Sequence, residues 1–118
     1  MTTPWPAEVL DCAKRLAKSL GYFAGHILTD NGRVYVNYPT WSSRWRPLDP
    51  RDPTVWSALI GIDGVTWVRY YKYANKYEAL VCKDTDFNSH TCWQKHPGLA
   101  VCEAYNALKG NPWLRVSV

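Results

Sequence analysis

Residues 65–83, VTWVRYYKYANKYEALVCK, constrain this chain more than any other stretch. The first arm crowds valine, threonine, tryptophan and tyrosine, which suit a pleated, half-buried surface. Strand side chains alternate between faces, so Val65, Trp67, Arg69, Tyr71 and Tyr73 fall on one side, and Thr66, Val68, Tyr70 and Lys72 on the other. Ala74 and Asn75 supply a short turn, Asn75 being able to take a positive φ. The return arm, Lys76–Lys83, alternates more loosely. Two strands alone are marginal in water, so this hairpin needs other elements to lie against. Helical patterns stand on both sides of it in sequence, and it reads as the element around which the rest is built.

The first of those patterns covers residues 7–20. Val9, Ala13, Leu16, Ala17 and Leu20 recur at helical spacing with Cys12 beside them. Pro4 and Pro6 suit an opening turn, Thr3 a cap, and Gly21 a stop. Acidic residues come early and basic ones late, which suits the helix dipole and allows an Asp11–Arg15 pair; the basic face reads as solvated. Residues 22–28 and 33–38 form a second expected hairpin, turned at Thr29-Asp30-Asn31-Gly32, with Val34, Val36 and Tyr38 on one face. Pro39 ends it.

Residues 41–51, WSSRWRPLDPR, show neither period and read as a loop. Trp41, Arg44, Trp45 and Arg46 put four frequent binding anchors into a short span. The competing reading folds the tryptophans back on the core and lets the arginines snorkel outward. Asp49-Pro50 and Asp52-Pro53 each match a cap followed by proline, opening a short helix near residues 54–60 that buries Val55, Trp56, Leu59 and Ile60. Gly61 and Gly64 bracket a turn into the 65–83 hairpin. Residues 84–96, DTDFNSHTCWQKH, read as a long polar loop. Pro97 then starts a last helix capped by His96, with Val101, Cys102, Tyr105 and Leu108 as its apolar stripe, Lys109 at its negative end and Gly110 as its stop. The tail, residues 111–118, adds an edge strand or docks on the first helix.

A chain of 118 residues suits one domain. The expected fold is α+β: an antiparallel sheet of about four strands packed with two longer helices and one short helix. Seven Trp and eight Tyr stand against two Phe, and the first two carry polar handles that suit half-wet surfaces. The net charge of +4 permits an acidic partner or nucleic acid without demanding either. No apolar run approaches the roughly 18 residues of a membrane span, and the N-terminus lacks the features of a signal peptide. A cytoplasmic protein with Cys12, Cys82, Cys92 and Cys102 as free thiols is expected.

Motifs for catalysis are weak. His90, Cys92 and His96, with Cys82 or Cys102, approximate a metal site, but their spacing matches no usual zinc knuckle. Cys82 and Cys102 read instead as small core residues, and His90 and His96 as loop residues. Cys92 beside a histidine is a candidate nucleophile with no identifiable oxyanion site. Asp84 and Asp86 read as a solvated turn, and no phosphate-cradling glycine loop is present. Neither a cofactor nor a metal is expected. The run Arg69-Tyr70-Tyr71-Lys72-Tyr73 has the composition of a base-stacking, phosphate-holding surface, but the preferred reading is a sheet that packs one face on helices and leaves tyrosine hydroxyls wet. Tyr70, Lys72 and Lys76 are candidates for its exposed side.

The order from Asp49 onward, with a D-P-x-D-P helix start, a Trp-bearing hairpin, a polar loop and then HPGLAVCEAYNAL, resembles the small phage and prophage proteins grouped as phage ABA-sandwich domains. Pro97, Leu99, Ala100, Val101, Cys102, Ala104 and Leu108 follow the phrase that opens that family's last helix. The resemblance implies a layered α–β–α-like domain of bacteriophage source and carries over no catalytic residue. By that analogy the chain is a non-catalytic phage accessory protein in the host cytoplasm. It is expected to inhibit a bacterial defence system, as anti-CRISPR proteins do, by binding a host protein or protein–nucleic acid complex. The expected contacts are Trp41, Arg44, Trp45, Arg46, Arg69, Tyr70, Tyr71, Lys72 and Lys76. The alternatives are a protein that sequesters a nucleotide signal, held between protomers by Arg69, Tyr70, Tyr71 and Lys72, and a small nucleic-acid-binding protein.

Overall fold

The computed structural model describes residues 3–37, 44–60, 65–83 and 88–110, with the side chains of 65–66, 81–83 and 88–93 outside the description. Tyr38, Pro39, Trp41, Gly61, Gly64, Asp84, Asp86 and the tail 111–118 therefore lie outside the described residues.

The first helical pattern forms α1, Ala7–Ser19, which buries Val9, Cys12, Ala13, Leu16 and Ala17. Its N-cap is Pro6 and not Thr3, and no side chain caps it. Thr3 serves elsewhere, its carbonyl accepting from Arg33 Nε at 2.9 Å. Arg15 bonds Asp11 as its spacing of four predicts. It does not belong to a solvated basic face, because it also reaches Glu103 far along the chain.

The second hairpin is shorter than its composition suggests. Strand β1 is Ile27–Asp30 and β2 is Arg33–Val36, paired antiparallel with Ile27 opposite Val36. The turn is the pair Asn31-Gly32 alone, both at positive φ (51° and 70°), as the primed turns of two-residue hairpins require. Thr29 and Asp30 extend the strand, and residues 24–26 form a 3-10 turn. Val34 and Val36 are buried together. The expected loop contains a two-residue strand, β3 (Arg46–Pro47), which pairs with β2 through Val36–Arg46 and Tyr35–Pro47.

Asp52 caps α2, Pro53–Trp56, accepting from the Thr54 amide, and a 3-10 turn over Ser57–Leu59 prolongs it. Asp49 does not cap a helix. Its carboxylate holds the Arg51 amide and guanidinium instead.

The 65–83 hairpin forms as β4 (Val65–Tyr71) and β5 (Lys76–Lys83), with Asn75 at φ 53° in the connecting turn and a bulge between Val65 and Trp67. The expected polar loop holds a third strand, β6 (Asn88–Gln94), antiparallel to β5. Helix α3 is Pro97–Leu108, opened by His96, whose Nδ1 accepts from the Gly98 amide at 3.0 Å.

Among the described residues the strands make two three-stranded sheets, β1-β2-β3 and β4-β5-β6, and not one sheet of four. The fold class is α+β as expected, but the layers are ordered differently. The β4-β5-β6 sheet packs on α3, β2 packs on α1, and the helices pack on each other, so the helical pair lies between the sheets. Helix α3 is buried on every side from Gly98 to Asn106, far more than its one apolar stripe predicts. It, and not the hairpin, is the element on which α1, α2 and three strands converge. Its small residues allow this: Ala100, Cys102 and Ala104 are fully buried, and Gly98 lies against the Pro50 carbonyl and the Trp56 ring.

Candidate functional site

Register decides which hairpin side chains share a surface. Arg69 stands opposite Glu78, Tyr70 opposite Tyr77, and Tyr71 opposite Lys76. The side carrying Val68, Tyr77 and Ala79 meets the core, where Ala79 is fully buried and Val68 and Tyr77 pack against it. Tyr70 belongs to that side and sits at its rim. Its ring lies 5.2 Å from that of Tyr77, its hydroxyl bonds Asn75 Oδ1, and it remains 51% exposed.

The opposite side carries a linked row. The Arg69 guanidinium sits 4.7 Å over the Trp67 ring and 3.5 Å from the Glu78 carboxylate. Tyr71 and Tyr73 meet edge to face at 5.7 Å, and Lys72 Nζ lies 5.4 Å from the Tyr73 centroid. Tyr73 is 82% exposed, and Tyr71, Lys72 and Lys76 are exposed with it. Among the described residues, neither Lys72 nor Lys76 has a carboxylate within ion-pair range. The structure thus gathers Arg69, Tyr71, Lys72 and Lys76 from the expected contacts and sets Tyr70 on the other face. Trp67 and Tyr73 join the row although they were not among the expected contacts. The alternation along β4 is the signal that includes Trp67. Tyr73 lies past the end of β4 in the turn and joins through its contact with Tyr71, and Lys72, which alternation assigns to the Tyr70 side, joins through the Tyr73 ring.

The second candidate surface is the segment 44–46. Arg44, Trp45 and Arg46 are all exposed, and Trp45 keeps 40% of its surface open. Pairing of Arg46 with Val36 anchors the segment on the edge of the β1-β2-β3 sheet. Trp41, the fourth expected anchor, lies outside the described residues.

The residues considered for catalysis are engaged structurally wherever they are described. His96 uses Nδ1 to cap α3, and burial, then the nearby Arg51 charge, lower its pKa against the opposing pull of Asp49. Cys102 is buried, with its thiol directed at the Pro50 carbonyl. Cys12 and Cys102 are free thiols. A hydrogen bond with Cys102, then burial, raise the Cys12 pKa well above the ordinary thiol value. The side chains of Cys82, His90 and Cys92 lie outside the described residues. Among the described residues, no group of three or more His, Cys, Asp or Glu could hold a metal ion, and no helix is long and apolar enough to cross a membrane.

A cleft of about 760 Å³ opens between the N-terminal segment at Pro4–Pro6, Arg33 and the Arg51–Pro53 stretch. Its guanidiniums are already in use, Arg51 on Asp49 and Arg33 on the Thr3 carbonyl. Comparison with protein-family models, curated proteins and solved structures finds no match to this chain.

Proposed function

We propose that this is a non-catalytic phage accessory protein that inhibits a bacterial defence system by occupying a surface of a host protein complex with its 44–46 segment. The observation that carries the reading is Trp45, an indole left 40% exposed between two exposed arginines on a backbone anchored by β2. Tryptophan and arginine dominate the energetics of protein contacts, and an anchored segment loses little conformational freedom on binding. The phage setting comes from the resemblance of the chain after Asp49 to phage ABA-sandwich domains.

The test is plating. Expression of the protein in bacteria carrying a defence nuclease should restore plaque formation by a targeted phage. Trp45→Ala with Arg46→Ala should abolish that restoration while the circular-dichroism melt stays unchanged. Plating that stays restricted across a panel of nuclease-based defences, or restoration that survives the double substitution, overturns the reading.

A further inference from the structure

We propose that the turn end of the β4-β5 hairpin, on the side of Tyr71 and Tyr73, binds single-stranded nucleic acid, with Tyr71 and Tyr73 stacking bases and Lys72 and Lys76 holding phosphates. This surface is separate from the 44–46 segment and carries its own evidence. From Val65 to Tyr77 the chain holds three cations, Arg69, Lys72 and Lys76, and no acid. The next residue, Glu78, is a carboxylate already engaged by Arg69. The field at this end of the sheet therefore complements a polyanion.

Stacking argues for a strand and against a protein. Tyr71 and Tyr73 lie on one side of the hairpin, and their mutual edge-to-face contact sets their orientation before a ligand arrives. The Arg69 guanidinium, spread over Trp67, extends the row with a second kind of stacking surface. Aromatic rings interleaved with cations on a sheet bind strands whose bases are unpaired, since a duplex keeps its base faces inside. Tyr70 lies on the α3 side and has no part in the contact.

The experiment is fluorescence anisotropy of labelled (dT)15 and (rU)15 titrated with the full chain, beside a duplex of equal length. Single strands should bind at least tenfold more tightly than the duplex. Two phosphate contacts give a salt slope near −1.4, so affinity should fall about 7-fold between 50 and 200 mM salt. Lys72→Glu with Lys76→Glu should lower affinity by tenfold or more and flatten that slope. Tyr73→Ala, at a site open enough to leave the fold alone, should weaken binding several-fold with the slope kept. Tyr70→Ala and Trp45→Ala should change nothing, and the latter separates this face from the protein-contact reading. No anisotropy rise, equal binding of the duplex, or equal losses in Tyr70→Ala and Tyr73→Ala overturns the proposal and leaves the 44–46 reading standing.

Discussion

Arg15 of α1 and Glu103 of α3 meet at 2.7 Å across the helix contact, with the Glu103 side chain 4% exposed. The carboxylate accepts a second bond from Asn106 Nδ2 at 3.1 Å, and Asn106 Oδ1 accepts from Ser19. Arg15 also keeps Asp11 at 2.8 Å. Burial lowers the Arg15 pKa, but hydrogen bonding and charge from Glu103, then from Asp11, more than offset it, and the guanidinium ends above its ordinary value. A buried carboxylate is tolerable only when paired and hydrogen-bonded, and this network supplies both conditions.

Removing one partner should therefore cost more than removing both. Arg15→Ala is expected to lower unfolding free energy by about 3 kcal/mol, because it leaves Glu103 buried with its charge uncompensated. Arg15→Met combined with Glu103→Leu should recover most of that loss. Urea unfolding of the three proteins measures it. A single-variant loss near zero would show that the pair is not holding the helices in register.

Acid should weaken the start of α3. His96 caps the helix through an unprotonated Nδ1, and its folded pKa lies below that of the unfolded chain. A depressed folded pKa gives stability that is fully present above about pH 6.5, the unfolded value, and is lost as pH falls through the folded pKa. The urea midpoint should drop between pH 7.5 and pH 5.5. His96→Ser, which keeps a cap without a titrating group, should show a flatter dependence. An equal drop in both proteins would place the titration elsewhere.

The thiols of Cys12 and Cys102 should resist alkylation in the native protein. Both are buried, and Cys12 is held in its neutral form by its bond to Cys102 and by desolvation. Iodoacetamide at pH 7.5 followed by peptide mass spectrometry should find both unmodified until denaturant is added. Modification at the rate of an open thiol contradicts the packing of α1 on α3.

Gly98→Ala should be among the most damaging single substitutions. A Cβ there would lie 2.1 Å from the Pro50 carbonyl oxygen and 2.6 Å from Trp56 Cδ1. One of those neighbours is backbone and cannot rotate away, so a loss of about 2–3 kcal/mol is expected, at the upper end for overpacking. A chemical melt that leaves stability unchanged would mean that the 50–56 segment adjusts freely.

Much of the local structure was legible because its causes lie within a few residues. Asn31-Gly32 and Asn75 marked turns through their tolerance of positive φ, and both adopt it. Asp52-Pro53 and His96-Pro97 marked helix starts, and both caps form. The apolar spacing of α1 and the alternation along β4 were readable in the same way. The candidate surfaces were legible only as a set of residues: the set placed Tyr70 beside Tyr71, and it omitted Trp67 and Tyr73.

The sequence by itself determined that helices follow Pro6, Asp52 and His96 and that the chain turns at Asn31-Gly32 and Asn75, since capping, ring closure and side-chain alternation act over one to four positions. Only the tertiary structure decided that the polar run 88–94 is a strand, that the described strands divide into two sheets, and that α3 is buried all round. A polar strand is made by the hydrogen bonds of the strand beside it, and a helix is buried on every side by the elements that meet it, here α1, α2 and a sheet distant in sequence. The same reason separates Asp11 from Glu103 as partners of Arg15. The first is four residues away on one helix face, and the second is 88 positions distant, reached only when the helices pack.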